Sequence, residues 1–209
     1  MEGWILLVLA LLMSGVSFYL LVRDQKKMSK PMVLYSVAAI FVVIGITWML
    51  THIYQENTFA FNLKRIALMC VLWPIAYTDF KDYRIPNLFV ILGLIYRGLI
   101  IPVELLMSEP FLASVISEVV ATAILLGATV ICKVMIKNAI GAGDMKLFIV
   151  MGLLLGLEGI WGAMFSSLVI SFFVAVYLLI RKKKSRNDNI PFGPAIALGT
   201  FLSIWLTGM

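Results

Sequence analysis

Charged residues are scarce in this chain. Asp, Glu, Lys and Arg make up 13% of its 209 residues, and 62% of the residues are hydrophobic. A soluble domain usually has about 25% charged and about 45–50% apolar residues. The mean hydropathy is +1.04, so there is too little polar surface to coat a water-soluble globule. The composition excludes a soluble domain and indicates an integral membrane protein.

Cysteine and histidine are also rare. The two cysteines, Cys70 and Cys132, both fall in apolar runs, and no CxxC pair occurs. The single histidine, His52, lies at the edge of an apolar run. These counts argue against a zinc site and against a disulfide framework. We expect two buried free thiols, no metal and no cofactor.

Long apolar runs dominate the sequence. A helix that crosses a bilayer needs about 20 mostly apolar residues, and this criterion predicts an all-α polytopic protein with about eight transmembrane helices. The predicted spans are residues 4–22, 32–53, 63–78, 87–106, 111–136, 144–157, 159–180 and 192–208. The sixth span is short, since about 14 residues at 1.5 Å each reach only about 21 Å. We therefore expect its first residues to lie near a notch in the membrane surface.

Positive charge is concentrated in alternate loops. Four segments, 23–31, 79–87, 133–146 and 181–186, hold 14 of the 17 Lys and Arg residues. Because cytoplasmic loops are enriched in Lys and Arg, we expect these loops in the cytoplasm and both termini outside. The net charge of +6 then reflects orientation in a lipid bilayer, and we expect no nucleic-acid partner.

Two aspartates stand beside apolar runs. Asp79 ends the third predicted span and Asp144 opens the sixth. The predicted topology puts both at the cytoplasmic face of the membrane. An ionisable group at a membrane span is costly, so it indicates a functional site. Taken singly, Asp144 fits a helix N-cap equally well, and Asp79 fits an interfacial residue paired with Lys81 or Arg84.

Two carboxyl groups that share a water molecule can hydrolyse a peptide bond. The ionised group takes a proton from the water, and the protonated group donates a proton to the carbonyl oxygen of the amide. Like charges a few ångström apart cannot both ionise easily, so the pair holds one proton between them. This chemistry needs neither a metal nor a covalent intermediate. Asp79 and Asp144 are therefore candidates for such a pair.

The residues around the two aspartates indicate how the backbone is shaped there. Gly141 and Gly143 carry no Cβ, so the chain can bend sharply or let a substrate strand lie close. Pro86 disfavours helix at the residue before it and can begin the fourth helix. Lys146 either acts on the neighbouring carboxyl through its charge or extends to the membrane surface. Phe192 either lines a substrate groove or anchors the last helix.

Two further charged residues, Arg97 and Glu118, fall inside predicted spans. Arg97 can extend to the outer membrane surface, and Glu118 sits about two turns from the outer end of its helix. An ion pair between the two side chains is our hypothesis.

Three ordered motifs resemble those of the type IV prepilin peptidase family, the GxGD membrane aspartyl proteases that are related to archaeal preflagellin peptidases. Residues 79–87 resemble the family's D-x6-P-[DN] signature. Residues 141–147 resemble its GxGDxKL motif, and residues 190–199 resemble the segment that begins I-P-F-G-P before the last span. The resemblance covers about residues 70–199.

This resemblance implies a site and a substrate. Asp79 and Asp144 would be the catalytic pair, and Asn87 would join the loop-shaping residues beside them. The substrate would be the basic N-terminal leader of a pilin-like precursor, which ends in glycine and precedes an apolar helix. Cleavage would occur at the cytoplasmic face of a prokaryotic plasma membrane. The sequence carries no signal of an oligomeric state.

The first part of the chain departs from many bacterial members of that family. Those members have a large cytoplasmic region with two CxxC pairs, which is associated with N-methylation of the trimmed pilin. Here the first predicted cytoplasmic loop has about nine residues and no cysteine. We assign residues 1–62 to two helices that replace this region and residues 63–209 to the catalytic core. We expect no N-methylation and no S-adenosylmethionine site.

Two alternatives fit parts of the sequence. A presenilin-like or signal-peptide-peptidase-like protease also uses the GxGD motif, but it cuts inside a transmembrane helix. A transporter or assembly scaffold would use the two acids to bind a proton or a cation and would cleave nothing. The N-terminus of the product separates the first alternative from a leader peptidase, and the absence of any product would indicate the second.

Overall fold

The computed structural model describes residues 2–107, 110–135, 141–181 and 190–208. Within these ranges the chain forms seven α-helices and no β-strand. The helices are α1 (Glu2–Gln25), α2 (Lys30–His52), α3 (Phe59–Asp82), α4 (Asn87–Leu106), α5 (Phe111–Met135), α6 (Ala142–Ile180) and α7 (Gly193–Thr207). The first six are long and apolar enough to cross a membrane, and α7 is a shorter apolar helix of 15 residues. The predicted all-α, polytopic architecture is confirmed.

Helix α6 is broken at Gly156, where φ is +64° and ψ is −172°. If its 39 residues formed a straight helix, it would be about 58 Å long. Yet Asp144 near its start and Leu168 far along it line the same cleft. The chain therefore folds back at the break, so that residues 142–155 run antiparallel to residues 157–180. These two segments correspond to the predicted sixth and seventh spans. When they are counted separately, the described residues form eight helical segments.

The break requires glycine for two reasons. A positive φ combined with an extended ψ is a conformation that L side chains rarely adopt. In addition, a Cβ at Gly156 would lie 2.9 Å from the hydroxyl oxygen of Ser117. That hydroxyl oxygen accepts a hydrogen bond from the backbone N–H of Leu157 over 2.9 Å, so α5 holds the turn in place.

Arg65 joins α3 to the end of the first segment of α6. The residue is 1% exposed, and its guanidinium donates to the backbone carbonyls of Leu154 (2.5 Å) and Leu155 (3.0 Å). Carbonyls at a helix end have no intrahelical donor and favour a cation. The guanidinium carbon also lies 4.0 Å from the centre of the Phe61 ring. Arg65 therefore satisfies the backbone acceptors that the break exposes.

Helix α3 lies at the centre of the fold. Nearly every residue from 60 to 79 is buried, and α3 packs against α1, α2, α4, α6 and α7. The outer helices instead expose large apolar side chains, among them Trp4, Leu34 and Phe165. Exposed apolar surface of this extent suits a bilayer and not water. Helix α3 is therefore surrounded by protein along most of its length, up to Asp79.

Four buried charges connect α3, α4 and α5 at the end of the fold opposite to Asp79. Lys64 contacts Glu104 (2.9 Å) and Glu118 (3.0 Å). Arg97 contacts Glu118 (2.6 Å) and Glu104 (2.8 Å). Because two cations meet two anions, the cluster is neutral, and each charge has the close partner that burial requires. The predicted ion pair between Arg97 and Glu118 is confirmed.

Helices α1 and α2 pack against the same core as the helices that follow. Their connection lies beside the end of α3, where Asp24 pairs with Arg84 over 2.6 Å. The Gln25 amide also donates to Asp82 over 2.8 Å. These contacts place the first two helices next to the site-bearing end of the molecule. The assignment of a separate catalytic core from residue 63 onward stays a prediction.

Candidate active site

Asp79 and Asp144 lie at the same end of the fold. Asp79 is in the last turn of α3, and Asp144 is in the first turn of α6. The carboxyl groups are close enough for the charge of Asp79 to act on Asp144. Asp79 is 7% exposed, and Asp144 is partly exposed. The structure thus brings the two predicted acids together, with one of them enclosed and the other accessible.

The loop before α7 holds the carboxyl group of Asp79. The backbone N–H of Gly193 donates to its Oδ2 atom over 2.7 Å, and the backbone of Phe192 also hydrogen-bonds to this group. Backbone N–H groups at a helix N-terminus have no intrahelical acceptor and favour an anion. A Cβ on Gly193 would lie 2.9 Å from Oδ2, so this close approach requires glycine. The third sequence motif therefore meets the first at Asp79.

The glycines before Asp144 permit close packing. Gly141 is the N-cap of α6 with an ordinary φ of −69°, and its backbone hydrogen-bonds to the carboxyl group of Asp144. A Cβ on Gly141 would lie 3.2 Å from the Asp144 carboxyl, and one on Gly143 would lie 3.2 Å from the Ile85 side chain. Neither glycine has a left-handed backbone, and their close neighbours are Asp144 and Ile85; a substrate strand lying against them stays a prediction.

Lys146 connects the second motif to the first. Its Nζ atom donates to Oδ1 of Asn87 over 2.9 Å at the protein surface. Pro86 is the N-cap of α4, with φ −65° and ψ 133°, and Asn87 is the first residue of that helix. The contact holds the start of α4 beside the start of α6. The two roles predicted for Lys146 are an effect of its charge on Asp144 and an extension to the membrane surface. Neither of them includes a hydrogen bond to Asn87.

A cleft of about 450 Å³ opens beside Asp144. Both segments of α6, helix α5 and the loop before α7 line it, through Asp144, Phe148, Met164, Leu168, Ala128, Cys132 and Phe192 among others. The rings of Phe148 and Phe192 meet edge to face, with centres 6.3 Å apart. Phe192 lies in the cleft lining and is also the N-cap of α7, so its position suits both of its predicted roles. Nothing in the sequence marks Ala128, Met164 or Leu168, since each is an ordinary apolar residue in an apolar helix.

The two cysteines differ in their surroundings. Cys70 is buried and Cys132 is exposed, so the expectation of two buried thiols is wrong for Cys132. An apolar run in a membrane protein faces either protein or lipid, and composition alone does not separate the two.

Within the part of the chain that the structure describes, the single histidine shows no sign of a metal site. His52 stacks on Trp48 at the end of α2, with ring centres 5.1 Å apart. Among the described residues, no group of three or more His, Cys, Asp or Glu side chains is placed to hold a metal ion.

The helices around a buried α3, with two acids at one end, define a polytopic helical membrane protein with a paired-carboxylate site. Residues 66–180, more than half of the chain, match the family described as the type IV leader peptidase family. The chain belongs to that family, as its motifs predicted. The match includes both aspartates and ends before the loop that precedes α7.

A curated relative is the prepilin leader peptidase/N-methyltransferase of Bacillus subtilis (strain 168). The two proteins are 33% identical over 66 residues, which make up 32% of this chain and 27% of the relative. The match thus spans about a quarter of the length of that protein. No solved structure matches the chain.

Proposed function

We propose that this protein is an aspartic endopeptidase that removes the basic N-terminal leader from type IV pilin-like precursors. The observation that carries the proposal is that Asp79 and Asp144 lie at one end of the fold, close enough for their charges to interact, inside the segment that matches the leader peptidase family. Membership of that family favours a leader peptidase over an intramembrane protease of the presenilin type. It also favours an enzyme over a transporter.

The surroundings of the two carboxyl groups suggest a division of roles. Asp79 receives backbone hydrogen bonds from Phe192 and Gly193, which stabilise an ionised carboxylate, so we assign it the role of general base. Asp144 faces the cleft, where the substrate carbonyl has access, so we assign it the role of general acid. In this scheme the water molecule lies between the two groups.

The bond changes follow from these roles. Asp79 takes a proton from water as the water oxygen bonds to the scissile carbonyl carbon, and Asp144 protonates the carbonyl oxygen. The resulting tetrahedral diol then collapses and the C–N bond breaks. The leaving nitrogen takes the proton from Asp79, and a diol hydroxyl returns a proton to Asp144. Both carboxyl groups end as they began.

Topology supports cleavage at the cytoplasmic face. In the sequence, Asp79 and Asp144 belong to the segments 79–87 and 133–146, which carry five of the seventeen Lys and Arg residues. Since such loops remain in the cytoplasm, a basic leader still on that side would meet the acids directly. The name of the curated relative includes a methyltransferase, but the α1–α2 connection here contains no cysteine. We propose peptidase activity alone, with residues 1–62 in place of the larger region.

Single substitutions of the two acids test the proposal. We expect Asp79→Asn and Asp144→Asn each to abolish cleavage of a co-expressed prepilin, measured by its size on a gel. Asp82→Asn is a matched control, because Asp82 is one turn further along α3 and bonds to Gln25 outside the site. Normal processing by either site variant would exclude the mechanism.

The N-terminus of the product tests the choice among activities. A leader peptidase yields a product that begins directly after the basic leader. An intramembrane protease would yield one that begins inside the apolar helix, and a transporter or scaffold would yield no new N-terminus. N-terminal sequencing of the product separates all three outcomes.

A further inference from the structure

We infer that the cleft between α5 and the second segment of α6 receives the first apolar residues that follow the scissile bond of the precursor. This inference rests on the proposed function, and it adds where the substrate lies and which residues set its specificity. The cleft is defined by the residues named above, from Ala128 to Phe192. Its occupant is the start of the apolar segment of the substrate.

The position of the cleft is the first argument. Asp144 is itself part of the lining, so a chain in the cleft reaches the acid directly. Protein occupies two other sides of the acids: the backbone of Gly193 lies against Asp79, and Gly143 lies beside Ile85. The first segment of α6 is also pressed against α4, where Gly93 has no room for a Cβ beside Val150. Among the described residues, the cleft therefore provides an approach to Asp144 from the bilayer side.

The chemistry of the lining is the second argument. Asp144 is the one charged residue among the described residues that line the cleft; the others are apolar, apart from Thr129, Ser171 and the thiol of Cys132. Among the described lining residues a basic leader would find no carboxylate beyond that of Asp144, whereas an apolar segment finds matching surface. The cavity near Lys64 and Glu118, at the opposite end of the fold, is lined by several charges instead. It does not suit an apolar segment.

The size and opening of the cleft are the third argument. Its volume of about 450 Å³ is typical of pockets that hold small ligands. A whole transmembrane helix is about 10 Å wide and about 30 Å long, so the cleft fits only a few of its side chains. Ala128 on one wall and Leu168 on the other are exposed, so the cleft opens sideways toward lipid. A substrate helix can therefore stay in the bilayer while its first turn enters.

The native cysteines provide a direct test. Cys132 is exposed in the cleft, while Cys70 is 0% exposed and hydrogen-bonded to Ser14, so thiol reagents reach Cys132 alone. The full chain carrying Asp79→Asn, in liposomes, is mixed with a synthetic peptide that has a lysine-rich leader ending in glycine, followed by an apolar helix. A single cysteine is placed either in the first apolar turn or in the leader. We expect bismaleimide crosslinking to Cys132 from the first apolar turn, at several times the yield from the leader.

A matched control tests whether crosslinking depends on the position of the thiol in the cleft. In a Cys132→Ser background, Ile91→Cys places a thiol one turn into α4, where the native side chain is 53% exposed but lies outside the cleft. We expect only background crosslinking there, and an equal or higher yield at this position would overturn the inference. Cleavage of the same peptide by the unaltered protein is measured first. A peptide that is cleaved but forms no adduct with Cys132 overturns this inference alone, whereas an uncleaved peptide counts against the proposed function.

Filling the cleft provides a second, kinetic test. Ala128→Phe adds a ring at an exposed position of the wall, and Ala123→Phe adds the same ring to an exposed position of α5 outside the cleft. We expect Ala128→Phe to lower kcat/KM roughly tenfold, mainly through KM, for a peptide with a large apolar residue after the scissile glycine. Replacing that residue by alanine should restore most of the loss. Equal effects of the two variants, or no restoration, would contradict the assignment.

Discussion

The backbone N–H of Gly193 donates to the Oδ2 atom of Asp79 over 2.7 Å, although 114 positions separate the two residues in the chain. The contact places the N-terminus of α7 directly against the enclosed carboxyl group of the pair. A positive helix end stabilises an anion at this position. The I-P-F-G-P segment is thus part of the candidate site, although it lies outside the range that matches the family.

Gly193→Ala should impair cleavage while leaving the protein folded. The added Cβ would lie 2.9 Å from Oδ2 of Asp79, so the carboxyl group must shift, and a shift of about 1 Å can lower a rate roughly a hundredfold. The measurement is the turnover of a prepilin, alongside thermal unfolding in detergent. Gly98→Ala in α4 is the control, because a Cβ there would meet nothing within 4 Å. Full activity of the Gly193 variant would show that Asp79 needs no fixed position.

Gly156→Ala should destabilise the protein by about 1–3 kcal/mol, since it forces an L residue into a glycine-only conformation. The added Cβ would also crowd the Ser117 hydroxyl. Gly127→Ala in α5 is the matched control, because the space beside it is open and alanine is the better helix former by about 1 kcal/mol. Thermal unfolding should therefore move in opposite directions for the two variants. A Gly156 variant as stable as the unaltered protein would contradict the fold-back in α6.

The positions of the helices could be predicted because bilayer thickness fixes how many apolar residues a span needs. The predicted start of the fourth span coincides with the first residue of α4, Asn87, since Pro86 marks the end of the preceding loop. Helix α3 runs from Phe59 to Asp82, several residues beyond both ends of the predicted span. Asn62 in its first turn and Asp79 in its last are polar residues that neighbouring parts of the protein bury, and local hydropathy does not register this burial.

That Asp79 and Asp144 lie at one end of the fold could also be predicted from the sequence, because a carboxyl group beside an apolar run is rare and the predicted topology placed both at one face. Their partners could not. Lys64 and Glu104 are 40 positions apart, and the bond from Gly193 to Asp79 spans 114. Contacts at such separations leave no periodic pattern in the chain. The walls of the cleft could not be predicted either, because most of their residues are ordinary apolar residues in apolar helices.

Arg65→Met should lower the stability of the protein by about 3 kcal/mol or more. The substitution removes two hydrogen bonds from a charged donor and leaves the carbonyls of Leu154 and Leu155 buried without a partner, a loss of about 1–3 kcal/mol for each. Thermal unfolding in detergent measures the effect. Arg84→Met is the control, since the Arg84 side chain is 50% exposed and a surface pair contributes about 0–1 kcal/mol. Similar losses for both variants would show that the contacts of Arg65 do not stabilise the break.

The cluster of four buried charges allows a test of whether charge balance stabilises the protein. Glu104→Gln alone leaves two cations facing one anion, and removing one partner of a buried pair typically costs about 3–5 kcal/mol. Lys64→Met combined with Glu104→Gln restores neutrality and keeps the pair between Arg97 and Glu118, which are 2.6 Å apart. We therefore expect the double variant to melt at a higher temperature than Glu104→Gln. Because the charge of Lys64 destabilises the protein only when Glu104 is absent, the two effects cannot be additive. Additive losses would mean that the four charges do not act as one neutral unit.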